Sequence, residues 1–372
     1  MKDQISTQAA GPFVDDWQQH AERLRGRSAA GEKCIGYFCT YTPIEILHAA
    51  GYIPVRITGG RGPLENAYSL APDFICPFMK RSLEKAIRGE YDYIDGVVQA
   101  YTCDVACGLL NIWKENFPGG RYHQIAFPYH DNSMARTYLR RELENLLHKL
   151  SAGAGQVTEA ALSAAVGLYD DIRLRLNSLH ERRLNGSLPL SALELAYVVM
   201  AGGVTPPRLY LEQLESLAAG MATTGPRQGI PVIVSGSLVE EPEIMEAIEA
   251  AGFRVAADDL CSGFRPFRPV SGEGHDSLDR IVDRMLRRNP CPSRTRAIQR
   301  LPYIRALMES GRAKAVIFLV QKFCTPHLAD FPILSEELKK TGIPALLLEL
   351  DENWTTSGQF RTRLESFREM IG

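Results

Sequence analysis

The sequence predicts an α/β fold of two Rossmann-like parallel-sheet domains with a helical segment between them. Three observations carry this. Short apolar runs alternate with amphipathic helical stretches near both ends of the chain, which is the order of βαβ units and parallel sheets. A long Ala-, Leu-, Arg- and Glu-rich stretch lies between them. A length of 372 residues is too great for one simple core and suits two domains.

Residues 12–27, with Phe13, Trp17 and Leu24 among charges, read as an amphipathic helix, and residues 1–30 form an N-terminal helical unit. Residues 34–38 (CIGYF) form a short buried strand. Thr42 and Pro43 open a helix through Ala50, because proline suits a first helical turn and Gly51 the position just past the end. A strand at 53–57 completes the first βαβ unit. Strands at 94–98 and 124–128 follow, with a helix carrying Leu109, Leu110 and Trp113 between them. Domain I therefore spans 31–150. Residues 132–185 read as continuously helical, and with breaks at Gly186 and 202–207 the helical segment reaches 225. Its end, GMATTGPRQG at 220–229, is a linker, small and polar and broken by Gly and Pro. Domain II, 226–372, has strands at 231–235, 252–256, 315–320 and 345–350, and helices at 243–251 and 334–341.

Composition narrows the function. The chain is 45% hydrophobic and 23% charged, with 42 basic against 44 acidic residues, a net charge of −2. That balance argues against nucleic acid or an anionic membrane as partner. No basic-then-apolar leader and no long apolar run is visible, so a cytoplasmic location is expected. In that reducing compartment the eight cysteines are not expected to form a disulfide framework.

The cysteines fall at telling places. Cys39, Cys103 and Cys324 stand where a strand hands over to a loop and helix, and Cys261 soon follows a strand. Cys76 precedes Pro77 at a helix start. Phe38-Cys39-Thr40 and Phe323-Cys324-Thr325 echo each other, as two facing lobes would explain. Open parallel sheets bind ligands outside the carboxyl ends of their strands, and a helix N-terminus favours the thiolate that binds metal. Buried free cysteine is also a common small hydrophobe; Cys34, inside a strand, reads as core, and Cys107 as structural. The paired short spacings of structural zinc sites, such as C-x2-C, are missing. Dispersed thiolates meeting in a folded cleft suit an iron–sulfur cluster, three of them leaving one iron open to substrate.

The segments CIGYFCTYTPIEILHAAGYIPVRITG, YIDGVVQAYTCDVACGLLNIW, VIVSGSLVEEPEIMEAIEAAGFRV, NPCPSRTR and KFCTPHLADFP resemble the 2-hydroxyacyl-CoA dehydratase and benzoyl-CoA reductase family. The likeness runs from about residue 31 to the end, and the length suits the smaller, D-component-like of two homologous catalytic subunits. The resemblance implies an oxygen-sensitive, anaerobic enzyme: two Rossmann-like domains around a 4Fe–4S cluster, paired with a homologous second subunit or a second copy. A separate ATP-hydrolysing iron–sulfur activator would deliver single electrons, which accords with the lack of a G-x-x-x-x-G-K-S/T loop here. The implied cluster ligands are Cys76, Cys103 and Cys324, with Cys39 lining the site. The implied reaction is one-electron reduction of a CoA thioester to a ketyl radical, which expels a hydroxyl in dehydratases; in ring reductases the electron enters the arene. Either needs a water-poor pocket. Glu45, His48 and His130 are candidate proton handlers, and Arg56 and Arg265 candidate CoA phosphate contacts.

Two alternatives stay open. Cys39, Cys76, Cys103, Cys261, Cys291 and Cys324 together suit a double-cubane cluster in a homodimeric reductase of small molecules within the same family. A metal-free two-lobed small-molecule binding protein is the other.

Overall fold

The computed structural model describes residues 3–154, 156–225, 227–272, 274–352 and 358–372; Pro226, within the expected linker, lies outside them. The long helix α1 (Asp3–Ala29) leads into a first sheet of four strands: β1 (Lys33–Tyr37), β2 (Tyr52–Arg56), β3 (Gly96–Tyr101) and β4 (Arg121–Ala126). Helices α2 (Ile44–Ala49), α3 (Pro77–Ile87) and α4 (Asp104–Asn116) connect them. The strand order is β2-β1-β3-β4, all parallel. Four helices follow: α5 (Ser133–Ala154), α6 (Glu159–Leu184), α7 (Ala192–Ala201) and α8 (Pro207–Gly220).

The second sheet repeats the first. Its strands are β5 (Ile230–Gly236), β6 (Phe253–Asp259), β7 (Ala315–Gln321) and β8 (Ala345–Leu350). They are ordered β6-β5-β7-β8 and again all parallel. Helices α9 (Glu243–Ala250), α10 (Ser277–Arg287), α11 (Ala297–Gly311), α12 (Thr325–Lys340) and α13 (Gly358–Ile371) complete this half. The expected α/β class with two parallel sheets is therefore what the chain forms. β7 shows why: AVIFLVQ is buried at every position, as a central parallel strand covered on both faces must be.

Three local readings need correction. The stretch 132–185 is not one helix; it breaks after Ala154, and Thr158 caps α6 by accepting the Ala161 N–H at 3.2 Å. The helix expected at 334–341 begins nine residues earlier, at Thr325, with Pro326 in its first turn, and runs through Pro332. Helices α10 and α11 lie in a stretch where the sequence showed no element.

Helix α10 matters most, because it leaves its own sheet. Leu278, Ile281, Val282 and Met285 are buried with Ile35, Val98 and Ile125 of the first sheet and Leu139 and Leu143 of α5. Each such side chain contributes roughly 1.5–3 kcal/mol before ordering costs. The crossing also brings Cys291 into that same core.

The sheets tolerate little at their carboxyl ends. A Cβ on Gly236, the last residue of β5, would lie 1.8 Å from the carbonyl oxygen of Leu319 on β7. Gly236→Ala is expected to cost at least about 2 kcal/mol through the displacement it forces. Chemical denaturation measures this, and an unchanged midpoint would refute the close approach.

Candidate functional site

The repeated strand order relates the cysteines differently from the Phe-Cys-Thr echo. β3 and β7 occupy the same place in their sheets, so the counterpart of Cys324, after β7, is Cys103, after β3. Cys39 follows β1, whose counterpart β5 leads into Ser237. Cys76 lies between β2 and β3; Cys261 and Cys291 lie in the matching connection between β6 and β7. Each half thus supplies three cysteines in the connections that follow its strands.

Three of them cap helices. Cys76, Cys103 and Cys324 are the N-cap residues of α3, α4 and α12, with extended ψ values of 145° and 156° at the first two. Pro77 and Pro326 pre-set the first turns of α3 and α12. The carbonyls of the three cysteines begin the helices, accepting from Met79 (3.0 Å), Cys107 (3.2 Å) and Leu328 (3.0 Å). Phe323 stands at φ 64°, a left-handed conformation unusual for a bulky residue, and so turns the chain from β7 toward Cys324.

These starts face one another. The Cys103 thiol lies within electrostatic reach of Cys76, Cys39 and Cys324, and Cys324 within reach of Cys76 and Cys291. Cys39 is fastened to the same loop: its N–H donates to Gln99 Oε1 at 3.2 Å, and its Sγ accepts from Thr102 Oγ1 at 3.1 Å.

The expectation that helix ends ionise these thiols is reversed by burial. Burial pushes Cys76 up to about 11 and Cys324 to about 12, and holds Cys103 well above the usual thiol range. N–H groups of Met79, His327 and Ala106 pull the other way and are outweighed. A cation is therefore what would ionise them, with release of protons.

Beside them lies a second group. The donor atoms of Cys261, Cys291 and His327 all lie within 4.8 Å of one another. The Cys261 thiol donates toward Cys291, and with His327 and Arg265 also facing it, Cys291 is held below the usual thiol range. Burial lowers His327 to about 4, and its Nε2 is buried without a partner. His327 escaped the sequence reading, although Cys324-Thr325-Pro326-His327 is a C-x2-H spacing on one helical turn.

The remaining candidates divide. Glu45 is fully buried, ion-paired to Arg173 and, at 2.8 Å, to Arg284. Burial opposes its charge, but the Arg284 and Arg173 guanidiniums outweigh burial and hold it at about 2, so it is a fixed anion at neutral pH. His48 packs edge-on to Tyr169, ring centres 6.0 Å apart, and burial lowers its pKa. His130 is exposed beside Tyr129. The arginines read as phosphate contacts point inward: Arg265 is 1% exposed, bonded to Asp259, the Gly236 carbonyl and, at 3.3 Å, Cys261 Sγ, while Arg56 donates to the Cys261 carbonyl at 2.8 Å. Arg288, unmarked by the sequence, ties the end of α10 to the Cys39 loop by donating to Thr40 O at 2.6 Å and stacking on Tyr41.

The two halves also clasp. Buried Glu240, after β5, accepts from the N–H groups of Gly59 (2.8 Å) and Gly60 (3.2 Å), after β2. Burial and neighbouring Glu241 raise it to about 7. A Cβ on Gly59 would lie 2.8 Å from that carboxylate, so only glycine allows the approach.

Residues 39–371 match the family model described as 2-hydroxyglutaryl-CoA dehydratase, D-component. The chain belongs to that family. It is 24% identical over 96% of its length to the (R)-phenyllactyl-CoA dehydratase beta subunit of Clostridium sporogenes, covering 98% of that protein. It is 27% identical over 97% of its length to a benzoyl-CoA reductase subunit of Thauera aromatica, covering 94% of it. Lactoyl-CoA dehydratase subunit beta of Anaerotignum propionicum is 26% identical, with 93% of each chain covered. Family membership over nearly the whole chain places this group of cysteines in a family of dehydratase and reductase subunits. No helix among the described residues is long and apolar enough to cross a membrane.

Proposed function

We propose that this chain is an iron–sulfur catalytic subunit of the 2-hydroxyacyl-CoA dehydratase or benzoyl-CoA reductase type. In this reading it works in the cytoplasm on a CoA thioester, beside a homologous second subunit and a separate ATP-hydrolysing activator. The observation that carries it is the meeting of three N-cap cysteines, Cys76, Cys103 and Cys324, drawn from both halves of the fold. Soft sulfur donors in a dry setting suit a 4Fe–4S cluster. When bound, such a cluster supplies single electrons to a thioester carbonyl.

The chain's own residues set the conditions. Phe38, Phe78 and Trp113 pack behind the cysteines of the first half, with Leu238 from the second, and exclude water. Thr102 holds the Cys39 sulfur through its hydroxyl. Glu45, as a fixed anion, positions α6 and α10 rather than donating a proton.

A second reading has its own support. Cys261 and Cys291 adjoin the first group, and three cysteines per half is a donor set for a double-cubane cluster in a homodimeric small-molecule reductase. Anaerobic purification, an iron count and EPR separate these. About four irons per chain supports the single cluster, and about eight the double one. A colourless, iron-free protein would reject both in favour of a metal-free binding protein.

A further inference from the structure

A cavity lies between the two halves, beside the cysteines but not lined by them. Its walls come from the carboxyl ends of β1 and β2 (Tyr37, Arg56, Thr58), from α6, α7 and α10, and from the loops after β5 and β6. Thr40 and Ser262, each next in sequence to a cysteine of the site, belong to the wall.

The polar groups in this wall are not all matched. Arg173 and Arg284 share the Glu45 carboxylate. Asp170 also meets Arg173 but is balanced by Arg280 at 3.3 Å. Glu240 turns its carboxylate onto the Gly59 and Gly60 N–H groups. Arg56 has no carboxylate within ion-pair distance among the described residues; its Nη1 meets only the neutral Cys261 carbonyl. Arg56 Nε, Thr58 Oγ1 and Arg284 Nε are buried with no hydrogen-bond partner among the described residues. Three arginines against Glu45 and the partly ionised Glu240 leave at least one positive charge. Unpaired buried donors and an unmatched guanidinium call for an acceptor, and guanidinium matches carboxylate well.

The rest of the wall is apolar, with Ile44, Ile172, Val199 and Phe267 among its members. The cavity measures about 60 Å³. Since a water takes at least 10–15 Å³ on that measure, there is room for about four to six non-hydrogen atoms. A fully hydrated phosphate dianion does not suit the apolar wall.

We propose that this cavity binds a short-chain organic carboxylate, with its charge on Arg56 and its carbon chain on the apolar wall. The site goes beyond the cluster reading and does not rest on it. Such a group has two sources, a free acid or the distal carboxylate of an acyl thioester.

Calorimetric titration of the anaerobically purified full chain with propionate, at fixed ionic strength, tests the proposal. One saturable site per chain is expected, with propionamide binding at least about tenfold more weakly, because it lacks the charge. Arg56→Gln is expected to weaken propionate at least about tenfold, and the milder, isosteric Thr58→Val about threefold. Competition by the N-acetylcysteamine monothioester of succinate points to an acyl substrate, and its failure to compete points to a free acid. No saturable binding, equal binding of propionamide or phosphate, or equal competition by the uncharged butyrate thioester overturns the proposal. Any of these outcomes leaves the iron count untouched, and an iron-free protein that binds propionate leaves the cavity standing.

Discussion

Cys324→Ala, prepared without oxygen, is expected to yield a colourless protein whose iron falls from about four per chain to below about one. Cys76→Ala and Cys103→Ala should do the same. Each of these cysteines caps a different helix, so losing one removes the sulfur at that helix start. Cys107, one turn into α4, is the nearest substitute for Cys103, but it packs with the apolar face of its helix. Cys107→Ser and Cys34→Ala are therefore the informative controls, since Cys34 is wholly buried inside β1. Both should keep their iron and colour. Equal bleaching by Cys107→Ser, with far-UV circular dichroism showing both variants folded, would overturn the ligand assignment.

Glu45→Gln is expected to destabilise the fold by about 3–5 kcal/mol, because it leaves two buried guanidiniums facing a neutral amide. The loss should appear as a lower urea midpoint with an unchanged slope. The carboxylate joins α2, α6 and α10, three elements far apart in sequence, and so helps hold α10 against the first sheet. The pH dependence follows from the depressed pKa. With Glu45 held at about 2 in the folded chain against an ordinary 4.5, its stabilisation is complete above about pH 4.5. It is lost as pH falls toward 2. The wild type should thus lose more stability than Glu45→Gln between pH 5 and pH 3. Parallel pH profiles would show that the ion pair contributes little.

The same carboxylate shows where sequence reading stops. Glu45 and His48 stand three residues apart on one short helix, and that spacing marked them alike as proton handlers. Burial between Arg173 and Arg284 makes one a fixed anion, while His48 sits half-buried against Tyr169. Neither arginine is within 100 residues of Glu45, and no local pattern announces the pairing. The thiols tell a similar story. Their places at helix starts were legible from Pro77, from Pro326 and from the strand-ending runs. Their protonation was not, because burial depends on what other segments bring to the cleft.

The alternation of buried runs and capped helices, which is local chemistry, determined from sequence alone the α/β class, the two parallel sheets and the placing of cysteines at strand ends. Tertiary structure alone decided which cysteines face one another and that His327 joins Cys261 and Cys291. It also decided that α10 crosses to the first sheet and that, among the described residues, no carboxylate comes within ion-pair distance of Arg56. These are contacts between segments far apart in the chain. Their energies come from desolvation and charge pairing, which no single stretch of sequence contains.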